Sequence, residues 1–113
     1  GGIEEAINRA HDYVQRYRPD LKIEVEARSM QDVQEALEAG KGKVFRLLLD
    51  NFTPQNLVEA LKLVGNTLET EASGGINLDN IEEYAETGVD YISVGATIHQ
   101  AKSLDLSLKA VMV

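Results

Sequence analysis

Four short runs rich in apolar and β-branched residues recur at nearly constant intervals, and this spacing limits the fold more than any other feature. The runs begin at Lys22, Val44, Leu68 and Tyr91, at intervals of 22, 24 and 23 residues. Each interval holds apolar residues three and four positions apart, the period of an amphipathic helix. A leucine-rich solenoid has a similar period, but its L-x-x-L-x-L-x-x-N pattern is missing from the sequence. The spacing therefore predicts consecutive β-α units in a parallel α/β sheet.

The predicted helices carry recognisable start and stop residues. Ser29 and Thr53 are suited to cap the second and third helices, which Gly40 and Gly65 would end. A fourth helix is predicted to begin near Asn77. The apolar stripes predicted to face the core comprise Ile3, Ala6, Ile7, Ala10, Val14 and Tyr17 in the first helix, Val33, Ala36 and Leu37 in the second, Leu57, Ala60, Leu61 and Val64 in the third, and Leu78, Ile81, Tyr84 and Ala85 in the fourth.

Composition limits the classes of partner. With 113 residues, the sequence predicts one domain over residues 1–113. Its net charge of −8 and its lack of a basic run argue against a nucleic-acid partner. It has no cysteine, and no apolar run approaches the roughly 20 residues of a membrane-spanning helix. The opening Gly1-Gly2 lacks the pattern of a signal peptide, so we expect a soluble, cytoplasmic protein.

Alternation along the strands sorts acidic side chains onto one face of the sheet. The residues predicted to share that face are Glu24 and Glu26 of the first strand, Arg46, Leu48 and Asp50 of the second, and Glu69, Glu71 and Ser73 of the third. A two-layer protein would leave such a face in water. A β/α barrel would enclose it as a lumen, with its chemistry at the carboxyl ends of the strands. Glu26, Asp50, Ser73 and Gly95 lie at those ends.

Two glycine-containing strand ends predict an anion site. The strand that ends at Ser73-Gly74-Gly75 lets backbone approach a ligand, and Gly95 can do the same after the next strand. A helix beginning near Asn77 would direct its free N–H groups toward the same place. His99 could donate to a phosphate or act in acid–base chemistry. These glycines could equally be ordinary β-to-α turns.

Two acids at adjacent strand ends predict a metal-assisted phosphate site. Mg²⁺ binds to one or two carboxylates and completes its shell with water and substrate oxygens. Glu26 and Asp50 supply the two carboxylates beside the predicted phosphate loops. Most acids are instead solvated or paired for structural reasons, and their position at the strand ends is what favours a function for these two.

Five segments together resemble the carboxyl-terminal part of the quinolinate phosphoribosyltransferases. They are Lys-Ile-Glu-Val-Glu (22–26), Leu-Leu-Asp-Asn-Phe (48–52), Glu-Ala-Ser-Gly-Gly-Ile (71–76), Tyr-Ala-Glu-Thr-Gly-Val-Asp-Tyr-Ile-Ser-Val-Gly-Ala (84–96) and Leu-Asp-Leu-Ser-Leu (104–108). The resemblance runs in order through essentially the whole chain. It implies about four β/α units of a type II phosphoribosyltransferase barrel, as the carboxyl-terminal portion of a larger enzyme.

The resemblance also implies an activity and roles for residues. The family converts quinolinate and phosphoribosyl pyrophosphate to nicotinate mononucleotide, pyrophosphate and CO₂ with Mg²⁺, in NAD biosynthesis. Matched by motif, Glu26 and Asp50 are the acids near the ribose and its metal. Ser73, Gly74, Gly75, Gly95 and His99 correspond to the 5′-phosphate end.

Two departures from the family accompany this resemblance. Gly95-Ala-Thr-Ile-His-Gln100 stands where the family usually has Gly-Ala-Leu-Thr-His-Ser, so the hydroxyl groups around the histidine are moved or lost. The family's amino-terminal domain, first barrel strands and basic substrate-binding cluster have no counterpart in this chain. We therefore expect a fragment that is inactive alone and, because its strand edges are open, forms a homo-oligomer.

Other functions remain open. The molybdenum-transport-associated paralogue shares this fold, and the upstream basic residues that would separate the two enzymes are missing here. A half-barrel that binds phosphate without catalysis, or an interaction module, is also compatible with the acidic charge.

Overall fold

The computed structural model describes residues 2–103, and the segment 104–108 of the family resemblance lies outside them. The helices are α1 (Gly2–Tyr17), α2 (Met30–Ala39), α3 (Pro54–Val64) and α4 (Ile81–Ala85). The strands are β1 (Ile23–Ala27), β2 (Val44–Asp50), β3 (Glu69–Ser73), β4 (Tyr91–Val94) and β5 (Thr97–Gln100). A short 3₁₀ turn, Ala101–Ser103, follows β5.

The five strands form one sheet in the order β1-β2-β3-β4-β5. The first four strands are parallel and β5 is antiparallel to β4. Sequential strands are neighbours throughout, so right-handed connections place successive helices on one face, and α1, α2, α3 and α4 pack in that order. A doubly wound fold would instead reverse its strand order. The structure confirms an α/β fold consistent with a partial β/α barrel.

The core lies between the helices and one face of the sheet. Its largest fully buried side chains are Ile7, Val33, Leu47, Leu49, Leu57, Val64 and Ile92. Leu47 and Leu49 alternate with Arg46, Leu48 and Asp50, as the period of two requires. The opposite face, which no described helix covers, is called the open face below. It carries the predicted acids.

Helix ends follow the predicted signals in four places. Ser29 Oγ accepts a hydrogen bond from the Asp32 N–H, and Thr53 Oγ1 accepts one from the Asn56 N–H. Gly65 follows α3 at φ 60°, in the left-handed region that glycine adopts without strain. Gly40 also follows its helix, with right-handed geometry.

The stripe predicted for α1 is narrower in the structure. Ile7 is buried, and Ile3, Ala10 and Val14 pack partly against the core. Ala6 is exposed, and Tyr17 is 62% exposed. Among the described elements α1 packs mainly against α2 and β1, so a narrow side of this helix faces the core. The prediction of a core role for Ala6 and Tyr17 was therefore wrong.

The helix predicted near Asn77 begins later, at Ile81. Asn80 Oδ1 accepts from the Asn77 N–H at 2.8 Å, and Asn77 Oδ1 accepts from the Asp79 N–H at 2.9 Å. These bonds hold residues 77–80 as a turn that leads into α4, since the Ile81 N–H donates to the Asn77 carbonyl at 2.9 Å. With five residues, α4 is too short to provide the anion-binding helix end that we had predicted.

An antiparallel hairpin closes one side of the sheet. Gly95 and Ala96 join β4 to β5, with Val94 paired to Thr97, and Gly95 has φ 61°. Glycine at the first position of a two-residue turn is typical of type II′ hairpins. Two open parallel edges had been predicted, and the structure differs at β4, which pairs with the antiparallel β5. Among the described strands, β1 and β5 are the outer ones, each paired on one side.

Candidate functional site at the strand ends

Asp50 and Ser73 meet at the carboxyl ends of the adjacent strands β2 and β3. They are register partners, and Ser73 Oγ donates a hydrogen bond to Asp50 Oδ1 at 3.2 Å. The next residue, Asn51, has φ 62° and donates its N–H to the Ser73 carbonyl at 2.9 Å. Asparagine tolerates this left-handed conformation better than most residues. The chain therefore turns sharply after Asp50, and the carboxylate is fixed in place.

Gly74 allows a close backbone approach beside these two residues. It has φ 86°, and a Cβ atom there would lie 2.8 Å from Asp50 Oδ1 and closer still to Asn51 Oδ1. No side chain fits in that space. Gly75 has φ 70° with open space around it, and its carbonyl accepts a hydrogen bond from Asn80 Nδ2 at 2.9 Å. In this loop, Gly74 is therefore packed against neighbouring atoms, whereas Gly75 faces solvent.

Arg28 connects Glu26 to Asp50. Its Nε lies 3.3 Å from Glu26 Oε1 and 3.6 Å from Asp50 Oδ2. The Asp50 side chain is 20% exposed, whereas that of Arg28 is 71% exposed. Glu26, Arg28, Asp50, Ser73 and Gly74 thus form one continuous cluster, which we call the strand-end site.

A second charged cluster lies below the strand-end site on the open face. Arg46 Nη2 donates to Glu69 Oε1 at 3.1 Å, and Arg46 Nη1 lies 3.6 Å from Glu71 Oε1. Ser93 Oγ donates to the other Glu71 oxygen at 2.9 Å, and the Arg46 guanidinium lies over the Tyr91 ring, 4.3 Å from its centroid. These contacts compensate a nearly buried glutamate.

Glu24 adds a further acid beside this cluster. Glu24 is exposed by its surface area, and partial desolvation of its carboxylate raises its pKa. The nearby Glu71 carboxylate raises this pKa further, and Arg46 opposes the shift. The open face therefore holds more carboxylates than its two arginines neutralise, which favours cationic ligands or ligand parts.

The structure does not bring His99 to the Ser73–Gly75 loop. His99 pairs with Ile92 across the hairpin. Directly opposed residues of paired strands share a face, so His99 lies on the face of the fully buried Ile92, opposite that of Ser93 and Glu71. Gly95 lies in the hairpin turn beyond β4. Of the predicted phosphate residues, the structure groups Ser73, Gly74 and Gly75, and a phosphate contact for His99 stays a prediction.

Comparison with known proteins assigns the family. The sequence model of one protein family, described as the quinolinate phosphoribosyl transferase C-terminal domain, matches residues 1–109. The chain belongs to the quinolinate phosphoribosyltransferase family.

Relatives in that family cover nearly all of this chain. It is 42% identical over 117 residues to a probable nicotinate-nucleotide pyrophosphorylase (carboxylating) of Methanocaldococcus jannaschii, covering 97% of this chain and 39% of that one. It is 35% identical over 121 residues to the chloroplastic enzyme of Arabidopsis thaliana, covering 96% of this chain and 35% of the relative. The chain thus spans somewhat more than one third of these relatives.

Solved structures agree with the fold. The nicotinate-nucleotide pyrophosphorylase of Francisella tularensis superposes with a TM-score of 0.72 at 29% identity, covering 88% of this chain and 35% of that one. Quinolinate phosphoribosyltransferases are therefore its relatives in both sequence and fold.

The strand-end site holds the two carboxylates, Glu26 and Asp50, for which the sequence predicts a Mg²⁺ ion, and the Mg²⁺ site stays a prediction. Its two carboxylates already have one positive group between them, the Arg28 guanidinium. In residues 2–103 no three acidic, histidine or cysteine side chains are grouped to hold a metal ion. A Mg²⁺ ion there would take Glu26 and Asp50 as its protein ligands and depend on substrate and water oxygens for the rest, which is its common mode.

Sequence reasoning missed three features of this quinolinate phosphoribosyltransferase chain. Arg28 lies two residues after Glu26, so strand alternation could have placed it near the same face. The sequence predicted that Arg46 lies on the acidic face, but not that it pairs with Glu69 and Glu71. The left-handed conformation of Asn51 had no signal beyond the tolerance of asparagine for it.

Proposed function

We propose that this chain supplies the ribose- and phosphate-binding strand ends of an enzyme that makes nicotinate mononucleotide. The reaction joins the quinolinate nitrogen to the ribosyl carbon of phosphoribosyl pyrophosphate, releases pyrophosphate, and removes one carboxyl group as CO₂. The observation that carries the proposal is the Asp50–Ser73 hydrogen bond beside Gly74. It holds a carboxylate next to a backbone loop with room for an anion.

The acids would act on the charge that develops during the transfer. As pyrophosphate leaves, positive charge grows on the ribosyl ring. A carboxylate fixed beforehand stabilises such charge without reorganising. Asp50 is held by the hydrogen bond from Ser73 Oγ at 3.2 Å, which does not depend on Arg28. Mg²⁺, when bound with the substrate, would neutralise charge on the departing pyrophosphate.

The Ser73–Gly75 loop would hold the phosphate of the ribose. Gly75 has open space around it. The Ser73 hydroxyl already donates to Asp50, so the loop would contribute mainly backbone N–H groups. Gly95 and His99 belong to the proposed phosphate end through the family motif, and they require the hairpin to turn toward the loop.

The experiment is a chimera with the M. jannaschii relative, whose matching segment is replaced by this chain. Formation of nicotinate mononucleotide from quinolinate, phosphoribosyl pyrophosphate and Mg²⁺ is measured. We expect an active chimera, in which Asp50→Asn and Glu26→Gln each lower turnover about a hundredfold while unfolding changes by less than about 1 kcal/mol.

The matched control for the chimera is Glu59→Gln, an exposed acid on α3 that pairs with Lys62. Its turnover should equal that of the parent chimera. Near-normal turnover of both site variants would remove Glu26 and Asp50 from the reaction. An inactive chimera that still folds would favour a phosphate-binding module without catalysis.

Assembly and compartment belong to the same proposal. The uncovered β1 edge supports a homo-oligomer. Among residues 2–103 no helix is long and apolar enough to cross a bilayer. The cytoplasmic setting stays a prediction, since the names of plant relatives place them in chloroplasts or mitochondria.

A further inference from the structure

Arg28 is the basic side chain that contacts the strand-end acids in the described part of the chain. Nε and Nη2 each lie 3.3 Å from Glu26 Oε1, and Nε lies 3.6 Å from Asp50 Oδ2. The other arginine of the open face, Arg46, is committed to Glu69, Glu71 and the Tyr91 ring. Arg28 therefore offsets locally one of the two negative charges of Glu26 and Asp50.

The fold does not need the Arg28 side chain in this position. The backbone N–H of Arg28 donates to Asp32 Oδ2 at 3.0 Å, and Ser29 caps α2 through the Asp32 N–H. These bonds fix the main chain between β1 and α2 whatever side chain residue 28 carries. The guanidinium itself is 71% exposed, with long contacts to both acids. Exposed pairs of this kind are weak, so it can leave them easily.

The strand-end position gives the guanidinium a second possible partner. An arginine is a planar fork of donors that matches phosphate oxygens as well as it matches a carboxylate. Asp50, one of the present partners of Arg28, is hydrogen-bonded to Ser73, so the Ser73–Gly75 loop begins beside the position that Arg28 now occupies. A diphosphate that binds at this end of the sheet with its divalent cation would bring a negative charge for Arg28 and a positive charge for the two carboxylates.

We propose that Arg28 exchanges partners when a diphosphate and its divalent cation bind. Without ligand, the guanidinium pairs with Glu26 and Asp50. With ligand, the two carboxylates face the cation and Arg28 pairs with the diphosphate oxygens. Because Arg28 pairs with the acids before the anion arrives, the acids repel the anion less. The class of ligand in this exchange rests on the proposed function. Arg28 is thus a ligand-contacting residue of the strand-end site.

The test measures binding to the 113-residue chain itself, with two probes. Free Mn²⁺ is followed by electron paramagnetic resonance, first with the metal alone and then with inorganic pyrophosphate. Arg28→Gln removes the charge, and Arg28→Lys keeps the charge but removes the fork. The matched control is Arg18→Gln, an exposed arginine paired with Asp20 before β1, at the opposite end of the strands.

For Arg28→Gln, we expect the affinity for Mn²⁺ alone and the affinity for pyrophosphate to change in opposite directions. Arg28→Gln should bind Mn²⁺ alone about threefold to tenfold more tightly than the parent, since the competing positive charge is gone. The same variant should bind pyrophosphate in the presence of Mn²⁺ about fivefold or more weakly. Arg28→Lys should stay within about twofold of the parent for the metal and lose part of the pyrophosphate affinity. Arg18→Gln should change both values by less than about twofold.

Three results would overturn the exchange. One is equal changes in Arg28→Gln and Arg18→Gln, which would reduce the effect to net charge. A second is unchanged Mn²⁺ affinity in Arg28→Gln, and a third is tighter metal binding with unchanged pyrophosphate binding. Because both probes report binding, an inactive chimera would defeat the proposed function and leave this inference standing.

Discussion

The carboxylate of Glu71 lies 3.6 Å from Nη1 of Arg46, and its side chain is 6% exposed. Ser93 satisfies the other Glu71 oxygen, while the oxygen facing Arg46 has no hydrogen-bond partner among the described residues. A nearly buried carboxylate thus depends on one neighbouring cation for its compensation. This pair lies below the strand-end site and supports the strands that carry it.

Loss of Arg46 should destabilise the chain strongly. Arg46→Met leaves Glu71 charged, nearly buried and unpaired, which we expect to cost about 2–4 kcal/mol. Arg9→Met is the matched control, since Arg9 pairs with Glu5 on the exposed side of α1 and should change stability by about 0.5 kcal/mol or less. Denaturant unfolding followed by circular dichroism measures both. Equal costs would mean that the Arg46 pair behaves as a surface pair.

Glu24 should make the stability of the chain depend on pH. Its pKa in the folded state is raised above the ordinary value of 4.5, chiefly by partial desolvation and then by Glu71. The folded chain therefore holds this proton more tightly than the unfolded chain. The resulting contribution to stability is present at low pH and is lost as the pH rises through the raised pKa.

Glu24→Gln should consequently stabilise the protein at pH 7, and this gain should shrink as the pH falls toward 4. Unfolding by denaturant at both pH values gives the difference. Glu38→Gln, at an exposed acid of α2, controls for the change in net charge. A gain that is the same at both pH values would contradict the argument, as would a measured Glu24 pKa below 4.5.

Gly74 and Gly75 offer a matched pair of substitutions. Both have positive φ, so alanine is strained at either position, at about 1–2 kcal/mol. At Gly74 the new Cβ would also lie 2.9 Å from the Asn51 nitrogen and 2.8 Å from Asp50 Oδ1, whereas nothing lies within 4 Å at Gly75. Gly74→Ala should therefore cost about 1–2 kcal/mol more than Gly75→Ala. Similar costs would show that the loop can move away from Asp50.

The sheet and its acidic face could be predicted because they depend on local periodicity. Alternation separates Leu47 and Leu49 from Arg46 and Asp50 whatever the rest of the chain does. The same reasoning located Ser73 beside Asp50, since parallel strands end at one side of the sheet. The family resemblance then supplied the ribose and phosphate roles.

Other features depend on competition between alternative local structures, which the sequence pattern does not show. The start of α4 at Ile81 lies after a turn at 77–80 that Asn77 and Asn80 hold by local side-chain bonds, and asparagine serves either as a cap or as a turn residue. The β4–β5 hairpin forms because these two strands pair with each other. The residues near His99 alone do not indicate that pairing. The contacts of Arg28 depend on the conformation of a long side chain, which the sequence leaves open.

The uncovered edge of β1 predicts association that its acids oppose. Unpaired strand edges pair readily with another copy, and inward-pointing charges limit such pairing. Glu24 and Glu26 lie on this strand, so two copies brought edge to edge at neutral pH would place like charges together. Neutralising these acids should therefore release the association.

Sedimentation velocity at several protein concentrations at pH 7 tests this prediction. We expect the Glu24→Gln/Glu26→Gln double variant to associate about tenfold more tightly than the parent. The double variant Glu38→Gln/Glu59→Gln carries the same change in net charge on helices α2 and α3 and should behave as the parent does. A monomer under all these conditions would refute the argument from the open edge. Equal association of both double variants would assign the effect to net charge rather than to β1.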